Sequence, residues 1–220
     1  MQDEVSAGLS RAIKIGFWAI LLGIAGLALA LCAGMADPKP LGKQLQVDKF
    51  TDLSGWTWIA DSGVTYEQVP GGLRINFPDS GKVALALGAA PSLPFTLEVA
   101  GAQSSGPAGL AYGLVLGYES AADYTVVWLN NNGYAEALSL TDGSASEWFP
   151  WQQWPHILSG QEANRVRVDV EAGGIVTARI NDEVLVRWAA LAVPDGRTGL
   201  AIRSQAPGTA IFSWIKVWSD

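Results

Sequence analysis

The chain has 220 residues, 49% hydrophobic and 16% charged, which excludes a disordered protein and leaves room for one substantial domain with an appendage. Its net charge of −7, from 14 Lys and Arg against 21 Asp and Glu, excludes the basic footprint that a nucleic-acid binder needs. One Cys excludes an internal disulfide framework and one His excludes His-clustered metal sites, while ten Trp and 25 Gly favour strands and tight turns over a helical bundle.

Residues 1–14 read as a short cytoplasmic tail, and residues 15–36 (IGFWAILLGIAGLALALCAGMA) carry no charge. As a helix these 22 residues reach about 33 Å, enough for a hydrocarbon core of about 30 Å, so a single transmembrane helix or signal anchor is expected. A cleaved signal peptide usually has an apolar stretch of only about 7–15 residues. Gly34-Met35-Ala36 nevertheless offers a small-x-small cleavage pattern. Lipidation at Cys32 is a third reading, weakened by Leu31 where a small residue is expected. Arg11 and Lys14 precede the span and Lys39, Lys43 and Lys49 follow it, so flanking charge is nearly balanced. A short tail ahead of a long folded domain places that domain outside the cytoplasmic membrane, periplasmic or at the cell surface. Gly16, Ala19, Gly23, Gly26, Ala30 and Ala33 recur on one helical face, where small residues admit a partner helix closely.

Residues 37–47 (DPKPLGKQLQV) contain two prolines and little periodicity, and read as a linker. From residue 48 to 220, strand patterns arrive at short intervals. The early set is Val64–Val69, Leu73–Phe77, Lys82–Leu87 and Phe95–Ala100. Leu110–Tyr118, Tyr124–Leu129 and Tyr134–Leu140 follow, then Arg165–Val170, Val176–Ile180, Val184–Trp188, Leu200–Arg203 and Ala210–Trp218. Asn130–Gly133, Ala172–Gly174 and Asn181-Asp182 supply turn chemistry between neighbouring strands. In Arg165–Val170 the three valines alternate inward and Arg165, Arg167 and Asp169 outward. About a dozen antiparallel strands without helical periodicity predict an all-β, two-sheet sandwich or jelly roll.

The order of these elements carries a resemblance. A Tyr-Gly strand (Tyr112, Gly113) leads into an aromatic hairpin, Asn164 opens the valine strand and Asn181 ends the next hairpin. A Gly-Leu strand (Gly199, Leu200) then precedes a closing aromatic strand, and Phe50-Thr51-Asp52 with Ser54-Gly55-Trp56 resembles the usual start of such a module. In this the chain resembles the concanavalin A-like lectin/glucanase superfamily, particularly laminin-G-like bacterial extracytoplasmic modules. The resemblance implies a concanavalin A-like jelly-roll β-sandwich over residues 48–220. Phe212-Ser213-Trp214 departs from the Phe-Asp-Asn close of many relatives.

Glucanases of that superfamily place carboxylates as Glu-x-Asp-x-x-Glu, one acting as nucleophile and one as acid/base. No Glu here is followed two positions later by Asp. Nucleophile-elbow and phosphate-loop patterns are absent too, so no catalytic residue is assigned and a non-catalytic protein is expected. No cofactor or metal is assigned. Structural calcium occurs in the superfamily, but Asp61, Asp79, Asp142 and Asp195 are scattered.

The unusual stretch is WFPWQQWPH at residues 148–156. Its aromatic faces suit sugar rings or a protein interface, and its amides suit hydroxyls. Trp148, Phe149, Trp151, Gln152, Gln153 and His156 are the candidate ligand or partner contacts, with Trp154 expected in the core. Tyr124, Val126 and Trp128 share one strand face and are also expected to fill the core. Arg165, Arg167, Arg179, Asp169 and Glu171 are expected to form a solvated charged face. The leading expectation is an interaction or accessory subunit of a membrane assembly, with a transmembrane protein partner. The alternative is a cell-surface carbohydrate-binding, lectin-like module; a polysaccharide-active glycoside hydrolase ranks third.

Overall fold

The computed structural model describes residues 15–29, 38–189 and 196–220. The chain divides into two compact units, Met1–Lys39 and Pro40–Asp220. In the first, residues 15–29 form helix α1, about 22 Å long. Its side chains are apolar all round, and large ones on every side are exposed, among them Ile15, Phe17, Trp18, Leu22 and Leu29. Among the described residues no helix is long and apolar enough to cross a membrane. The rest of the expected span, residues 30–36 with Ala30, Ala33 and Cys32, lies outside the described residues.

The second unit is two antiparallel sheets. Strands are numbered along the chain. The eight-stranded sheet runs β13 (Glu183–Ala189), β12 (Ile175–Ile180), β11 (Asn164–Val170), β6 (Phe95–Ser105), β15 (Gly208–Ser219), β4 (Gly72–Phe77) and β3 (Thr65–Val69). Strand β1 (Lys43–Asp48) pairs with the second half of β15, whose first half pairs with β4. The seven-stranded sheet runs β10 (Ser144–Gln153), β9 (Tyr134–Thr141), β8 (Asp123–Asn130), β7 (Leu110–Ser120), β14 (Arg197–Ser204), β5 (Val83–Gly88) and β2 (Thr57–Ala60). All twelve strands expected from the sequence are present, although β6 runs five residues beyond the expected Ala100 and β14 begins three residues before Leu200. Three more were not expected. β1 replaces the last five residues of the predicted linker, β2 follows the Trp56 turn, and β10 contains the first six residues of the tryptophan-rich stretch.

Period-two alternation builds the core. Leu110, Tyr112, Leu114 and Leu116 of β7 meet Val166, Val168 and Val170 of β11 in one fully buried cluster between the sheets. Each such side chain contributes about 1.5–3 kcal/mol on burial, so this layer dominates stability. Both lateral edges are closed by stacked rings. Trp148 lies on Trp188 at 5.8 Å across the β10/β13 edge, and Trp58 lies on Tyr66 at 3.7 Å across the β2/β3 edge.

The turns behave as their residues require. Asn181 and Asp182 both take positive φ, as a two-residue primed turn demands, and Asp142-Gly143 does the same between β9 and β10. The Asn130 carboxamide oxygen accepts the N–H groups of Asn132 and Tyr134 at 3.1 Å, folding the β8–β9 turn.

The outer face of the eight-stranded sheet corrects one expectation. Arg167 and Asp169 are 5% and 6% exposed, not solvated. Asp169 accepts the Thr96 hydroxyl at 2.6 Å and Arg167 Nε–H at 2.8 Å, so the buried carboxylate is neutralised and hydrogen-bonded. Thr96 Oγ1 in turn accepts the Leu41 N–H at 2.8 Å, which ties the start of the sandwich to this face.

Candidate functional site

The predicted contact residues fall into three environments. Trp148 and Phe149 pack against the inter-sheet core, Trp148 also donating its indole N–H to Ser139 Oγ at 2.9 Å. Gln152, Gln153 and His156 are exposed, with the His156 ring beside Trp154 at 5.3 Å. Trp154 packs against the core as expected. Trp151 alone turns to the outer face of the seven-stranded sheet. Two register shifts in β10, after Glu147 and after Phe149, separate these fates. The stretch is thus a strand whose alternation is reset twice.

Trp151 joins a cluster that Tyr124, Val126 and Trp128 also enter. These three do not fill the inter-sheet core; Val127 and Leu129 do. The outer cluster rests on Leu85, Leu87, Val115 and Ala201, an apolar floor drawn from β5, β7 and β14. Above it the Arg203 guanidinium lies between two indoles, 4.2 Å from the Trp128 ring and 4.8 Å from the Trp151 ring. Glu136, directly opposite Trp128 in the β8–β9 register, accepts Trp128 Nε1–H at 2.7 Å and pairs with Arg203 at 3.0 Å. Tyr134 stacks on Trp151 at 5.9 Å. Tyr118 and Tyr124 extend the aromatic surface, and burial pushes the Tyr124 hydroxyl above the usual tyrosine range.

This arrangement orients rings. The Glu136 carboxylate is already engaged by an indole N–H and a guanidinium, so it anchors Arg203 and Trp128 in place. Trp151, Tyr134 and Tyr124 remain half-buried, with ring surface open to solvent beside a fixed charged pair. Arg203 escaped the sequence reading. Its signal was its parity: Leu200 and Ile202 point into the core, so Ala201 and Arg203 face outward.

Elsewhere a concavity of about 740 Å³ opens between β1, the following loop and the β5 and β14 ends, lined by Asp48, Asp52, Trp56, Leu97 and Val217 among others. Both carboxylates serve that loop. Asp48 accepts the Phe50 N–H at 2.5 Å and Trp56 Nε1–H at 3.0 Å. The Ser54 N–H, followed by its hydroxyl, holds the Asp52 carboxyl below the usual carboxylate range. Among the described residues no group of three or more His, Cys, Asp or Glu is placed to hold a metal ion. Of the helix-packing candidates, Gly16, Ala19, Gly23 and Gly26 lie in α1, while Ala30 and Ala33 lie outside the described residues.

No family model and no curated protein matches the chain. Solved structures do match. The carbohydrate-binding module CBM66 from Bacillus subtilis is 16% identical, with 74% of this chain and 95% of that one covered and a TM-score of 0.59. A Bacillus licheniformis β-glucanase is 9% identical, with 82% and 100% covered and a TM-score of 0.58. A xylan β-1,4-xylosidase from Bacillus halodurans is 15% identical at a TM-score of 0.57; 83% of this chain covers 40% of that one. At these identities the likeness is one of fold. The sandwich is an antiparallel two-sheet jelly roll.

Proposed function

We propose that this protein is a non-catalytic carbohydrate-binding sandwich, displayed outside the cytoplasm on an N-terminal membrane anchor. The observation that carries the binding reading is the Trp128–Arg203–Trp151 stack pinned by Glu136. It joins the half-buried Trp151 ring to fixed polar groups, and ligand sites combine apolar surface with a few polar groups of this kind. The fold shared with a carbohydrate-binding module supports it. This reverses the order expected from the sequence, where an accessory subunit stood first. The anchor is supported by α1, apolar all round, and by the uncharged sequence that continues to Ala36.

The test is a glycan array probed with the full chain in mild detergent. Binding to a defined glycan that falls about tenfold or more in Trp151→Ala and Arg203→Ala, but persists in Trp148→Ala, supports the assignment. Binding indifferent to Trp151 and Arg203 sinks it. Release of new reducing ends from the bound glycan makes the protein a hydrolase instead. For the anchor, resistance to alkaline carbonate extraction is expected, and full release refutes it.

A further inference from the structure

The proposed anchor delivers the chain to the sandwich at one place. Residues 30–42 separate α1 from β1, a tether of at most about 45 Å. Strand β1 is therefore where the chain coming from the anchor enters the sandwich. Its surface is unlike the rest of the domain. Leu45 and Val47 are 63% and 40% exposed. On the paired strand β15, Ile215 and Val217 point into the core, so Trp214, Lys216 and Trp218 lie outward. Val47 sits opposite Lys216, and Gln44 opposite Trp218.

Charge is concentrated there too. Residues 38–220 hold 12 Lys and Arg against 18 Asp and Glu, yet only five are lysines: Lys39, Lys43, Lys49, Lys82 and Lys216. Three of the five lie on β1, on the residue following it, or on β15, and Lys39 lies four residues ahead of β1 in sequence. Of the neighbouring acids, Asp48 is hydrogen-bonded within its own loop and Glu98 is buried beside Arg165 and Lys216, while Asp220 after β15 is exposed. Lys216 rests its ammonium over Trp214 at 4.0 Å. Tryptophan with lysine is the pairing that suits the headgroup layer, where indoles settle and basic side chains meet anionic lipid.

We propose that the β1–β15 corner lies against the headgroups of an anionic bilayer. The inference rests on the anchor reading, and it has a consequence for the glycan reading. Trp214, Lys216 and Trp218 lie on the outer face of one sheet and the Trp128–Arg203–Trp151 cluster on the outer face of the other. Seating the corner on lipid turns the aromatic cluster away from the membrane, toward external glycan.

The test uses the full chain with Cys32→Ser, reconstituted in nanodiscs of phosphatidylcholine with or without phosphatidylglycerol. A spin label is placed at Leu45→Cys or, on the β13 edge, at Val184→Cys, and a nickel-chelating lipid reports proximity to the headgroups. Severalfold faster relaxation at 45 than at 184 in anionic discs is expected. Lys43→Glu with Lys49→Glu reduces that difference, each lysine shifting the docked population by roughly fivefold, whereas Lys82→Glu leaves it unchanged. Circular dichroism of each variant confirms that the sandwich is folded. Equal relaxation at both labels in a disc-bound chain overturns the docked corner and leaves the anchor standing. A chain that leaves the discs overturns both.

Discussion

Three positions separate Trp148 from Trp151, and β10 sends their indoles to opposite sides of its sheet. Trp148→Ala removes core packing and half of an edge stack, a loss of about 3 kcal/mol visible as a lower urea midpoint. Trp151→Ala leaves that midpoint nearly in place and weakens glycan binding. Neither side assignment was legible in the sequence, because two register shifts reset the alternation that sequence reasoning counts. Glu98 gives a pH-dependent prediction. Burial raises its carboxyl above the usual range, and Arg165 and Lys216 pull it back only in part. The folded chain thus holds this proton more tightly than the unfolded chain. The group adds stability below about pH 4.5, and the addition is lost as pH rises through its folded value. Glu98→Gln is accordingly more stable than the parent at pH 7, with the gap closing in acid; urea titrations at both pH values measure it.

At the scale of elements, the turns were the most legible part. Asn181-Asp182 and the Asn130 turn were read correctly because positive φ selects the residues that tolerate it. The same rule applied to Asp142-Gly143 marks the β9–β10 hairpin, the signal that would have revealed β10. Strand β1 was hidden for another reason. Its sequence KQLQVD buries no apolar side chain, Leu45 and Val47 being exposed, and backbone pairing to β15 makes it a strand. Two positions of the family-like pattern now have physical causes. A Cβ at Gly199 would lie 1.9 Å from the Ala86 carbonyl oxygen, so Gly199→Ala forces β14 off β5 and leaves little folded protein at 25 °C by circular dichroism. The Asn164 carboxamide donates to the Leu158 carbonyl at 3.0 Å and accepts the Leu158 N–H at 2.7 Å and Asn181 Nδ2–H at 2.8 Å. Asn164→Ala breaks these part-buried hydrogen bonds, at a cost of about 0.5–1.5 kcal/mol each, and frees the loop before β11 to proteolysis.

At the scale of the molecule, the two units differ in what each needs. The sandwich has its own closed core, so residues 38–220 expressed alone are expected to unfold in one cooperative transition at a midpoint within a few degrees of the full chain; a broad, non-cooperative melt would refute this. Helix α1, by contrast, exposes large apolar side chains all round. The sequence by itself determined the strand-rich class, most strand positions, the apolar N-terminal segment and the absence of the glucanase carboxylate pattern. Each of these is a local property, set by period, composition or adjacent residues. Only the tertiary structure decided which outward-facing residues meet. Trp128, Glu136, Trp151 and Arg203 come from four strands, and the order β10-β9-β8-β7-β14 makes them one cluster. Strand order is a long-range packing outcome, and no local pattern encodes it.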